Sequence, residues 1–237
     1  MRACATTLGV LFAVVLSLSG CATSTPISAN QAASERAGVQ ALRSSAAAVS
    51  NPPPLVAFIG DDYTIGAGTD GPTRRWTSIL SRQEHWREEN FAFIGAGYLA
   101  AVASKSGSAN YATELAKAVK TTPSIVVVSG GGNDLASVGP ALAREIKSFF
   151  TSLRVSLPAA RVIAVNPWQA ASPVPPGLTT IAGYVRAAVR DVKGVFVDVG
   201  QPVVGHPSLI TRSGKYPNDK GYARLAQAVG AKLPNSV

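Results

Sequence analysis

The stretch Leu55-Val56-Ala57-Phe58-Ile59-Gly60-Asp61-Asp62-Tyr63-Thr64-Ile65-Gly66 decides how the rest of the chain is read. An unbroken apolar run leads straight into Gly-Asp-Asp-Tyr-Thr-x-Gly. Such a run, ended by Gly and Asp, reads as a strand buried on both faces. In an open α/β sheet the carboxyl end of that strand is where ligands and reacting groups gather. Asp61 and Asp62 stand at that end, in a Gly-rich loop reaching to Pro72 that suits a conformationally demanding turn.

Downstream, strand and helix patterns alternate. Residues 73–83 read as a helix, with Trp76, Ile79 and Leu80 on one face. Residues 91–94 read as a second strand, 111–120 as a helix and 124–129 as a third, β-branched strand. Residues 140–157 form an amphipathic pattern through Leu142, Ile146, Phe149, Phe150 and Leu153. A fourth strand at 161–165, a helix at 178–192, a fifth strand at 195–199 and a final helix at 218–233 complete the order. Alternation of this kind implies right-handed βαβ units and one parallel sheet covered on both faces. The expected architecture is a single three-layer α/β domain over residues 55–237, with a five-stranded parallel sheet in the order 2-1-3-4-5, as in flavodoxin-like sheets.

The composition suits a folded domain, with 46% hydrophobic and 15% charged residues. The net charge is +9, but the basic residues are spread out. No Lys/Arg run marks a nucleic-acid arm, and no nucleic-acid partner is expected. The N-terminus has a different character. Arg2 precedes an apolar stretch from Leu8 to Leu18 that is short for a bilayer span and has the flanks of a signal peptide. It ends in Leu18-Ser19-Gly20-Cys21, which resembles a bacterial lipobox. That resemblance implies removal of residues 1–20 and lipidation of Cys21, so that the protein is exported and held at a cell membrane. Residues 21–54, rich in Ala, Ser and Pro, read as a tether.

The domain is identified by its motifs as a divergent member of the SGNH (GDSL) hydrolases. The first block is Gly60-Asp61-Asp62-Tyr63-Thr64; the third, Gly131-Gly132-Asn133-Asp134, matches the Gly-x-Asn-Asp pattern; the fifth ends in Pro217-Asn218-Asp219-Lys220-Gly221, the Pro-Asn-x-x-Gly tail. The resemblance implies that Asn133 and the backbone of Gly95 or Gly97 are oxyanion donors. It also places the nucleophilic serine on Asp62, the histidine on Tyr216 and its aspartate partner on Ser213. All three catalytic positions thus differ in type. A phenol with an ordinary pKa of about 10 is a poor base near neutral pH, and a carboxylate is not a serine hydroxyl.

The expectation is therefore a degenerate site that binds an envelope glycan, an acyl ligand or a partner protein without cofactor or metal. The alternative is an esterase acting on envelope esters through non-standard residues, with His206 as a reserve imidazole. A third reading is a structural scaffold. Asp61 reads as a loop-bonding residue and Asp134 as the cap of its own turn. A carboxylate pair of Asp62 with Asp134 or Asp219 would be an acid–base or cation site. Gly95-Ala96-Gly97-Tyr98-Leu99-Ala100 also has a dinucleotide-binding spacing, but no evident helix follows it.

Overall fold

A computed structural model describes residues 33, 34, 36–38, 52–105, 107–170 and 172–234. The signal segment, Cys21 and most of the expected tether lie outside the described residues. The chain divides into two units, 1–51 and 52–237. In the first, residues 33, 34 and 36–38 are helical and exposed.

The second unit is built on five parallel strands: β1 (Leu55–Gly60), β2 (Arg87–Asn90), β5 (Ile125–Ser129), β6 (Arg161–Val165) and β7 (Val195–Val197). Their spatial order is β2-β1-β5-β6-β7, the order expected for five strands that alternate with helices. The register places Ala57 beside Val126 and Gly60 beside Ser129, so β1 and β5 end together. Ser129 likewise pairs with Val165 of β6.

Alternation along the strands separates two cores. Val56, Phe58, Val127, Ile163 and Val165 face one layer, where α2 (Trp76–Gln83) and α6 (Asp219–Gly230) supply Trp76, Leu80, Tyr222, Leu225 and Val229. Ala57, Ile59, Val126, Val128 and Val162 face the other, with α3 (Tyr111–Ala118), α4 (Pro140–Ser156) and α5 (Pro176–Asp191). Each helix carries its apolar stripe at helical spacing, as Ile146, Phe149, Phe150 and Leu153 do on α4. Among the described residues no helix is long and apolar enough to cross a membrane.

Four local expectations are corrected. The second strand is Arg87–Asn90, not residues 91–94. It is an edge strand, paired with β1 alone, so one side of it needs no apolar partner. Its Glu88 is instead held by Arg75 at 3.0 Å and by the hydroxyls of Thr77 and Ser78. Phe91 and Phe93 still donate backbone N–H groups to Phe58 and Gly60, but as the strand leaves the sheet. A second difference lies in the Gly-rich loop, which contains a one-turn helix, α1 (Asp62–Ile65), closed by Gly66 at φ 87°. The third is an antiparallel hairpin, β3 (Val102–Ser104) with β4 (Gly107–Ala109), in a segment read as loop. The fifth strand is shorter than its sequence pattern; beyond it, the Asn166 side chain takes over by accepting from Val199 N–H at 2.8 Å.

Trp76 joins core to cleft. Its ring is fully buried and packs edge-on against Phe58 at 5.6 Å and Trp168 at 5.2 Å. Replacing it removes both contacts and leaves a cavity, so Trp76→Ala is expected to lower unfolding stability by about 3–5 kcal/mol in urea titrations. A loss below about 1 kcal/mol would show that the cleft wall does not lean on this residue.

Candidate active-site cleft

The strand ends carry a cleft of about 250 Å³ lined by Asp61, Asp62, Tyr63, Asn133, Trp168 and Tyr216, among others. Five connections meet there: the turn after β1, the loop after β2, which reaches Asp62 through Gly95, the 3₁₀ segment Gly132–Ser137 after β5, the Trp168–Gln169 stretch after β6, and the Gly214–Tyr216 turn that leads to α6.

Asp62 occupies its centre. As the first residue of α1 it is placed by Asp61, whose side chain caps the helix through Tyr63 N–H at 3.1 Å. The Asp62 carboxylate then receives three donors. Gly95 N–H and the Asn133 amide both reach Oδ2 at 2.9 Å, and the Tyr216 hydroxyl reaches Oδ1 at 2.8 Å. Burial alone would raise its pKa, but these hydrogen bonds outweigh it and hold the group below the usual carboxylate value.

Asp61 behaves in the opposite way. Although it also accepts from Gly131 N–H at 3.2 Å, burial and the adjacent charge of Asp62 push it up to about 7. Beneath both, the Glu114 carboxyl accepts from Gly60 N–H at 2.9 Å, and its other oxygen is buried without a hydrogen-bond partner. Burial raises Glu114 to about 9, so it is a neutral acid at pH 7.

The structure also separates Gly95 from Gly97. Gly95 turns its N–H to Asp62, with φ 81°. Gly97 donates to Ala100 instead, and a side chain there would collide with the Asp134 carboxylate. Asp134 does not cap its own turn, as the sequence suggested. Its oxygens accept from the N–H groups of Tyr98, Leu99 and Ala100 at 2.7–2.9 Å. It thereby fixes the loop that presents Gly95. The Gly-x-Gly of this loop leads into β3 rather than a helix.

Asp134 and Asp219 form no carboxylate pair with Asp62. Asp219 pairs with Arg74 at 2.9 Å and accepts from Asp70 N–H; the carboxylate adjoining Asp62 is Asp61. Ser213 is exposed and bonded to Thr211 at 3.0 Å, with no hydrogen bond to Tyr216. His206 is exposed and lines a separate concavity with Arg212. Asp198 is taken by Arg186. No sequence pattern singles out Lys215, whose ammonium lies 5.0 Å from the Tyr216 ring centre, or Trp168. Trp168 follows the Asn-Pro that ends β6, and position at a strand end was its one available signal.

The domain is thus a three-layer α/β fold with its cleft at the carboxyl ends of the parallel strands. The sequence model of the GDSL-like Lipase/Acylhydrolase family matches residues 58–224, and the chain belongs to that family. Solved structures agree in fold. The extracellular lipase of Streptomyces rimosus is 14% identical, with TM-score 0.57 over 76% of this chain and 100% of the lipase. A psychrotrophic esterase from Pseudoalteromonas is 12% identical, with TM-score 0.60 over 76% and 96%. A family two carbohydrate esterase from Clostridium thermocellum, solved with cellohexaose, is 18% identical, with TM-score 0.61 over 78% of this chain and 65% of the esterase. No curated protein sequence matches the chain.

The buried Glu114 makes a pH test. Its folded pKa, about 9, lies above the ordinary 4.5, so the folded state keeps a proton that the unfolded state releases between those values. Its contribution is full below about pH 4.5 and falls as pH rises toward 9. Glu114→Gln keeps an acceptor for Gly60 and removes the titration. The melting temperature of the variant should therefore gain on wild type by several degrees between pH 5 and pH 9. Parallel curves would contradict this assignment.

Proposed function

We propose that this member of the GDSL-like family is a membrane-anchored binding protein rather than an ester hydrolase. One observation carries the reading. The donors that the family resemblance assigns to a developing oxyanion, Gly95 N–H and the Asn133 amide, are engaged by the Asp62 carboxylate at 2.9 Å. A permanent anion fills the place where a transient one would need them.

The other parts agree. Position 62 offers no hydroxyl, and its carboxylate is fixed by three hydrogen bonds. Tyr216 is a donor to that carboxylate, and burial, with Asp62 beside it, raises its pKa further above neutrality. It is therefore no substitute for an imidazole base. The ligand envisaged is a glycan or acyl group of the cell envelope, met by a protein anchored through Cys21.

A hydrolytic reading has one observation in its favour. Asp61, raised to about 7, stands beside an ionised Asp62, as an acid–base pair would. Against it, the Asp61 oxygens already accept from Tyr63 and Gly131 as part of the fold.

Turnover decides between the two. The full chain, assayed with short acyl esters and acetylated sugars, should show no hydrolysis above that of Asp62→Ala. Turnover by wild type that disappears in Asp62→Ala would establish the hydrolase. The anchor has its own test: palmitate labelling in a bacterial host should mark wild type and spare Cys21→Ala. Equal labelling would remove the lipid anchor.

A further inference from the structure

We propose that the cleft takes an amine-bearing sugar, with its ammonium seated against Asp62; this deepens the binding reading above and rests on it. The Asp62 side chain has no Lys, Arg or His within ion-pair distance among the described residues. Its three partners are neutral: a backbone amide, a side-chain amide and a phenol. They orient the carboxylate and carry no charge to balance its own. They also leave it an open acceptor. Two donors reach Oδ2 and one reaches Oδ1, whereas a carboxylate accepts about four. The residue is 8% exposed, and its remaining access is to the cleft.

The walls favour the same ligand charge. Tyr63 and Tyr216 stand edge to face at 6.2 Å, and Trp168 lines the cleft with them. Aromatic faces carry a negative quadrupole and attract ammonium groups. The chain already places one there. Lys215 holds its ammonium 5.0 Å from the Tyr216 ring centre, on an exposed side chain. Tyr216 and, less strongly, Asp62 raise its pKa. Lys215 is thus a surface cation at the mouth of an anionic, aromatic cleft, in a position that a ligand ammonium can take over. Gln169, whose side-chain amide makes no hydrogen bond among the described residues, lines the same cleft and can meet a sugar hydroxyl.

The size fits one ring. About 250 Å³ is below the roughly 300–1,000 Å³ of pockets for drug-sized ligands. The overall charge of +9 opposes a cation at long range. The recognition is accordingly short-range, through Asp62 and the aromatic faces, rather than by steering.

Calorimetric titration of the full chain at about pH 6, where sugar amines are protonated, tests this with two probes of equal length. One is the tetramer of glucosamine and the other the tetramer of N-acetylglucosamine, in which the amine is a neutral amide. The glucosamine tetramer should bind at least about ten-fold more tightly. Asp62→Asn, which keeps the shape of the side chain, should abolish the preference. Lys215→Gln should preserve or strengthen it by removing the competing cation. Should Asp62→Asn fail to fold by circular dichroism, the wild-type comparison and Lys215→Gln still decide. Equal binding of the two tetramers, binding of neither, or a preference that survives Asp62→Asn would overturn the assignment. Equal binding would leave the glycan-binding reading in place, whereas ester turnover by wild type would overturn that reading itself.

Discussion

The carboxylate of Asp62 ties together three loops. Gly95 comes from the loop after β2, Asn133 from the segment after β5 and Tyr216 from the turn before α6. Hydrogen bonds to an ionised acceptor are roughly twice as strong as neutral ones. They also demand that each loop be held in register. The sheet does this for β1 and β5, whose ends coincide at Gly60 and Ser129. Asp134 does it for the Gly95 loop through three backbone amides. The antiparallel bridge of Ile210 with Pro217 does it for the turn bearing Tyr216.

Two adjacent carboxylates show how environment outranks chemical identity. Asp61 and Asp62 have the same intrinsic acidity, yet one is pushed up to about 7 and the other held below its usual value. The difference lies in desolvation, in the neighbour's charge and in the donors. Asp61 meets weaker backbone bonds and the field of its neighbour, whereas Asp62 meets two side-chain donors and Gly95. Charge is therefore concentrated on the residue that faces the cleft, and the buried one moves toward neutrality. Glu114, deeper still, goes further the same way.

How much of this was legible in the sequence followed burial. β1, β5 and β6 are covered on both faces, so their apolar runs announced them, and the five-strand order followed from alternation with helices. β2 was displaced because an edge strand can carry Arg, Glu and Asn, while the apolar Phe91 and Phe93 beyond it only pack against the core. Asp62, Gly95 and Asn133 converge because they lie beyond strand ends, and Tyr216 joins them from the turn before α6. Asp134 was misread because its partners lie 34–36 residues away, and no local pattern encodes that. Gly95 and Gly97 were indistinguishable in sequence. What separates them is the direction of an N–H and the nearness of the Asp134 carboxylate, both fixed only once the loop is folded.

Replacing a serine by an aspartate at such a position changes more than the nucleophile. Catalysis requires interactions that are stronger in the transition state than in the ground state. Donors aimed at an empty point satisfy this, because they gain a partner only as negative charge develops. When a carboxylate rests at that point, the same donors stabilise the resting protein and their differential contribution disappears. On the reading proposed above, geometry that would lower a barrier instead fixes an anion in place. The fold keeps its donors, its strand-end cleft and its aromatic walls, and on the reading proposed here their work shifts from a reaction to the recognition of what complements that charge.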